Sequence, residues 1–118
     1  SMSGIPSYKA HTKDISSHLA GFRSAQPDLM KAFGEMSAAA TRDGALDAKT
    51  KELIALALAV AAHCDACIGF HVKALVKLGA TQQEVEETLG MCVYMGGGPS
   101  LMYTANALAA FKEFTAQA

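Results

Sequence analysis

Apolar positions along the chain recur every three or four residues and nowhere alternate convincingly, which predicts helices and no strands. From about Tyr8 to Ala25, the residues Ile15, Leu19 and Phe22 fall at helical spacing, with Tyr8 two turns before Ile15. Pro27 suits the first position of a second helix, with Leu29, Met30, Phe33 and Met36 as its stripe, until Arg42, Asp43 and Gly44 break the pattern. Asp47 is placed to cap a third helix, because its carboxylate can accept from backbone N–H groups that lack a partner inside the helix. That helix carries Glu52 and then runs apolar on all sides from Leu53 to Ala62, the pattern of a central helix buried by neighbours or by a second subunit. A fourth helix starts at Cys64 or Asp65 and ends near Leu78, where Gly79 fits a left-handed cap. Thr81 and Glu84 form a capping box for a fifth, from Gln82 to about Met95, with Val85, Leu89 and Cys92 on one face. Gly96, Gly97 and Gly98 stop it, and Pro99 opens a sixth that ends near Ala116. The expected fold is an all-α bundle of about six helices with short connections. It reads as one domain over residues 1–118, with 1–7 a flexible start and Ser1-Met2 an expression remnant.

Composition sharpens this picture. Charged residues make up 18% of the 118 residues and hydrophobic ones 51%, against about 25% charged in a typical soluble domain. So little charge points to apolar surface covered by another subunit, and hence to a homo-oligomer. The net charge of -1 implies no basic face, so nucleic acid is not an expected partner. The longest apolar run, Leu53 to Ala62, is about half of the roughly 20 residues a membrane span needs, so no membrane partner is expected either. Three cysteines, an odd number, do not make a secreted disulfide framework, and the expected compartment is the reducing cytoplasm.

The candidate chemistry sits in one constellation: Cys64, Cys67 and His71, with Glu52 ahead of them. A C-x-x-C pair at a helix start brings two thiols within disulfide reach and sets sulfur near unpaired N–H groups, which favours the reactive thiolate. Cys67 and His71 are four residues apart and share a helix face, so the imidazole can take or relay a proton. Glu52 can accept from the other ring nitrogen and fix the tautomer; at the edge of a buried helix its carboxylate needs such a partner. Two rival readings stay open. The cysteines can be small core residues of a structural module. They can also belong to a zinc site completed by His63, His71, Cys92 or Glu52, although no second C-x-x-C or finger-like histidine pair is present. No cofactor is called for.

The stretch Leu46-Asp47-Ala48-Lys49-Thr50-Lys51-Glu52-Leu53-Ile54-Ala55-Leu56-Ala57, followed by His63-Cys64-Asp65-Ala66-Cys67-Ile68-Gly69-Phe70-His71, closely resembles the carboxymuconolactone decarboxylase/AhpD-like family, as does the later Gly96-Gly97-Gly98-Pro99 with its helix. The resemblance spans about Leu29 to Phe111, and the spacing Glu-x11-Cys-x-x-Cys-x-x-x-His is that of the alkylhydroperoxidase branch. It implies that Cys67 is the peroxidatic cysteine, that Cys64 closes the disulfide, and that His71 and Glu52 relay protons. It further implies a hydroperoxide substrate, an external dithiol reductant such as a lipoyl-bearing protein, and assembly as a homotrimer or homohexamer. The alternatives within reach of the same residues are a protein or small-molecule disulfide reductase and a decarboxylase-type enzyme. The latter needs a cationic pocket, yet Arg23 and Arg42, the only arginines, lie away from the motif. The chain departs from AhpD in being shorter and in placing Asp65 and Ala66, not a histidine, between the cysteines. An acidic Asp65 is expected to disfavour thiolate.

The remaining candidates have plainer readings. Cys92 is expected to be a core cysteine, His63 a helix-end residue, and His11 and His18 surface residues. Met30, Met36, Met91, Met95 and Met102 are expected to pack, and Tyr94 and Tyr103 can reach the site from neighbouring helices. The triple glycine lacks the Lys-Ser/Thr ending of a phosphate loop and is expected to be a tight helix–helix turn.

Overall fold

The computed structural model describes residues 7–116. Among these, six helices follow one another: α1 Tyr8–Ala25, α2 Pro27–Thr41, α3 Ala48–Ala61, α4 Asp65–Lys77, α5 Gln82–Gly96 and α6 Gly98–Thr115. The capping chemistry is as the residues dictate. Asp47 accepts from the Thr50 N–H at 2.7 Å, and Thr81 and Glu84 bond reciprocally as a capping box. The triple glycine is a tight turn: α5 ends at Gly96, α6 starts at Gly98, and Gly97 between them takes a φ of 70° that L side chains resist.

The core is built by α3, α4, α5 and α6. Ile68, Val72 and Leu75 of α4, Leu56 and Val60 of α3, Val85 and Leu89 of α5, and Ala107 and Ala110 of α6 belong to one cluster, all buried. Small alanines on α6 let the larger aliphatic side chains of the other helices close over them. Tyr8 seals the α1 end of this core. Ser7, grouped by the sequence with a flexible start, is instead held: it caps α1 and donates to Glu113 of α6. The proposed Ser1-Met2 remnant lies outside the described residues.

The expected packing of the methionines needs correction, and the helical stripes of α1 and α2 stay uncovered within the single chain. Leu19, Phe22, Leu29, Phe33 and Met36 form helical stripes, but all are exposed within the single chain. The reason is placement: α2 touches only α1 and α3 and buries no residue, and the buried residues of α1 lie in its first two turns. Met36, Met91, Met95 and Met102 are likewise open to solvent rather than packed inside. Even α3, apolar all round, leaves Ile54 and Leu58 uncovered. No helix among the described residues is long and apolar enough to cross a membrane.

Candidate active site

The site grows out of the junction between α3 and α4. At the end of α3, His63 adopts a φ of 55°, in the left-handed region. Its N–H bonds to Val60 O at 3.1 Å, and the next N–H, of Cys64, bonds to Ala59 O at 3.0 Å. These two bonds are the Schellman closure of a helix, which satisfies carbonyls left over in the last turn. Cys64 then caps α4: its sulfur accepts the Cys67 N–H at 3.2 Å, a place usually taken by an oxygen. Cys64 and Cys67 are joined by a disulfide with Cα atoms 5.2 Å apart.

One turn beyond Cys67, His71 Nδ1 lies 2.6 Å from Glu52 Oε2 of α3. Glu52 is buried, at 8% exposure, so the imidazole is the partner its carboxylate needs. An ionised carboxylate only accepts hydrogen bonds, so its partner is the imidazole with a proton on Nδ1, which leaves Nε2 outside this bond. Cys67 and His71 share an open cleft of about 300 Å³, walled by Ala55, Leu58, Ala59 and Ala62 of the α3 side. No lysine or arginine lines it. A larger groove of about 490 Å³ runs past Lys9, Thr12, Phe70 and Lys73 and contains no cysteine.

The four residues singled out by the sequence thus form two joined pairs, Cys64–Cys67 and Glu52–His71, with Cys67 and His71 lining one cleft. Asp65 is not a bare acid beside the sulfurs: its carboxylate accepts from Tyr8 Oη at 2.6 Å and from Asn106 Nδ2 at 3.3 Å, tying α1, α4 and α6 together. This clamp was missed because its partners lie far away in sequence; a buried Asn106 on an alanine-rich helix face was the available signal. Cys92 is a core thiol with its Sγ near Ala57 O and Thr88 O, and burial pushes its pKa up. Tyr94 points away at 78% exposure, whereas Tyr103 stacks on His63 with ring centroids 4.6 Å apart and planes within 10°. His18 is exposed beside Asp14, while His11 is partly covered. Among the described residues no three His, Cys, Asp or Glu side chains converge as metal ligands would.

A sequence model of the carboxymuconolactone decarboxylase family matches residues 27–111, which contain this whole cluster. The chain belongs to that family. A solved family member from Legionella pneumophila, in its apo form, superposes with a TM-score of 0.91 at 62% identity, covering 92% of this chain and 97% of its own. A family member from Thermotoga maritima superposes with a TM-score of 0.66 at 33% identity, over 71% of this chain and 87% of its own. An uncharacterised protein of Cupriavidus necator is 42% identical over 108 residues, 92% of this chain and 96% of that one. Family membership accounts for the all-α architecture; its enzymes include both decarboxylases and alkylhydroperoxidases.

Proposed function

We propose that the protein is a thiol-dependent oxidoreductase that reduces hydroperoxides. The observation that carries this reading is the Glu52–His71 pair at 2.6 Å beside a Cys67 that faces the same cleft and is already paired with Cys64. In the proposed cycle the Cys67 thiolate attacks the distal peroxide oxygen and the O–O bond breaks. Cys67 becomes a sulfenic acid, and the departing alkoxide takes a proton through His71 and Glu52. The Cys64 thiol then attacks the sulfenic sulfur, water leaves, and the disulfide forms. An external dithiol, such as one borne on a lipoyl protein, regenerates both thiols by exchange. The Thermotoga maritima relative has been suggested to take part in an antioxidative response, which agrees with this direction.

The apolar cleft favours an alkyl hydroperoxide over a carboxylate-bearing lactone, because nothing cationic lines it. A second reading, a disulfide reductase, is favoured by the helix-capping sulfur of Cys64, which suits thiol–disulfide exchange. The exposed stripe of α2 and the apolar groove of about 320 Å³ past Leu58, Met91 and Met95 favour assembly with further copies, which we propose to be a trimer or hexamer. Light scattering on a sizing column gives the subunit number directly.

The test of the main reading is consumption of an organic hydroperoxide by metal-free, pre-reduced protein supplied with a dithiol. Saturable consumption that Cys67→Ser abolishes is expected. Inert peroxide with a disulfide that still cycles would replace the peroxidase reading with the reductase one.

A further inference from the structure

We infer that His63 is a positioning residue for the Cys64 thiol, acting through its stack on Tyr103; the inference rests on reading Cys64 and Cys67 as the redox couple. The starting point is a backbone outlier. His63 is the one non-glycine residue with positive φ among the described residues. A side chain there is unfavourable, because Cβ crowds the following carbonyl. The chain has the ordinary solution elsewhere: Gly79 occupies the same position after α4, at a φ of 79°. Glycine would therefore satisfy the turn at residue 63, and what histidine adds is its ring.

That ring is exposed to solvent, so core burial is not its purpose. It lies flat on Tyr103 of α6, and Tyr103 in turn packs against the core. The stack pins the α3–α4 turn to α6 immediately before Cys64. The Cys64 backbone, at φ -111° and ψ 95°, sets its sulfur on the Cys67 N–H. A sulfur held at a helix N-terminus is favoured as thiolate. While the disulfide is closed, the S–S bond fixes that sulfur. Once it is reduced, the turn alone holds Cys64 in place, and there the His63–Tyr103 contact matters. The ionisable groups around the turn are otherwise engaged: Asp65 with Tyr8 and Asn106, and His71 with Glu52.

The test uses reduced Cys67→Ser protein, in which Cys64 is the accessible thiol and Cys92 is buried. Its iodoacetamide alkylation is followed against pH, with the modified residue located by mass spectrometry, with and without His63→Gly. The expected result is a higher midpoint and a roughly tenfold slower reaction at neutral pH, about one pKa unit. The melting temperature should stay level or rise. Tyr103→Leu should slow Cys64 to the same extent, and the double variant no further. Unchanged reactivity in His63→Gly overturns the inference, whatever its melting temperature, as does a slowing that Tyr103→Leu does not share. If His63→Gly fails to fold, His63→Asn keeps a residue tolerated at positive φ while removing the ring, and carries the same expectation. Alkylation needs no peroxide turnover, so a protein inert to hydroperoxides but with a His63-dependent Cys64 would sink the proposed function alone.

Discussion

The chain closes two successive helices, α3 and α4, with the same turn and fills it differently. After α4, Gly79 donates to Val76 O and Ala80 to Leu75 O; after α3, His63 donates to Val60 O and Cys64 to Ala59 O. In the first junction every choice serves stability: glycine at the left-handed position, a threonine hydroxyl as cap, and Glu84 closing the box. In the second, histidine stands where glycine is preferred, and a sulfur caps where oxygen is preferred. The closing hydrogen bonds are common to both, although the next cap follows at once at Cys64 and one residue later at Thr81, so the residue choices at the closure point to what the α3–α4 junction is for. Local rules are broken there at two neighbouring residues, where the proposed redox chemistry lies.

The largest effect is expected from making the second junction resemble the first. Cys64→Ser supplies an oxygen cap and should stabilise the protein by about 0.5–1 kcal/mol relative to the reduced parent. The same change should abolish dithiol-dependent peroxide turnover. Melting under reducing conditions and a peroxide assay read the two together; a variant that turns over normally would show that the sulfur is dispensable. Next in size, Glu52→Gln keeps the shape of the acceptor but removes its charge from His71. A fall in kcat/KM of about a hundredfold is expected, the lower end of general acid–base contributions. Little loss would mean that the 2.6 Å contact only fills a buried position.

A smaller effect runs the comparison in reverse. Gly79→His puts at the α4–α5 junction the residue that the α3–α4 junction uses. It should cost about 1 kcal/mol, because the left-handed backbone is unfavourable for any side chain. Chemical denaturation measures this directly. If the variant is as stable as the parent, positive φ is not the burden assigned to His63, and the case for its ring weakens accordingly.

Much of this was legible in the residues because punctuation is local. Pro27, Asp47, Gly79, the Thr81–Glu84 box and Pro99 mark helix ends by chemistry acting within one turn. The Glu52–His71 pairing was legible too, since a carboxylate at the edge of an apolar helix demands a partner. What covers an apolar face was not. Periodicity groups Leu29, Phe33 and Met36 on one side of α2, but it does not say that the side stays open within one chain. Nor was the Asp65 clamp legible, because Tyr8 and Asn106 reach it only through the tertiary fold. The left-handed His63 was hidden for a further reason: Ala-His-Cys carries no turn signal of its own. Only its likeness to Leu-Gly-Ala after α4, once both turns are seen, makes the histidine stand out.

The smallest expected difference between the two junctions is their response to acid. At the α4–α5 junction, the hydrogen bond from Lys49 and the Thr81 N–H hold the Glu84 carboxyl below its usual value of 4.5. Lys49 Nζ sits 2.8 Å from Glu84, linking α3 to the start of α5. A carboxyl lowered by folding binds its proton first in the unfolded chain. Its contribution is therefore fully present above about pH 4.5 and is lost as pH falls through the folded value. The cap at the α3–α4 junction is a sulfur held by a backbone N–H, with no carboxylate in the bond. Glu84→Gln should thus lower the melting temperature slightly at neutral pH and flatten its decline below about pH 4.5, leaving a shallower slope from Asp47 and Glu113, which folding also lowers. Cys64→Ser, measured under reductant, should leave the acid slope as it was. A slope that changes with Cys64→Ser but not with Glu84→Gln would mean that the acid-sensitive contact belongs to the redox junction, and the division of labour between the two turns would have to be reversed.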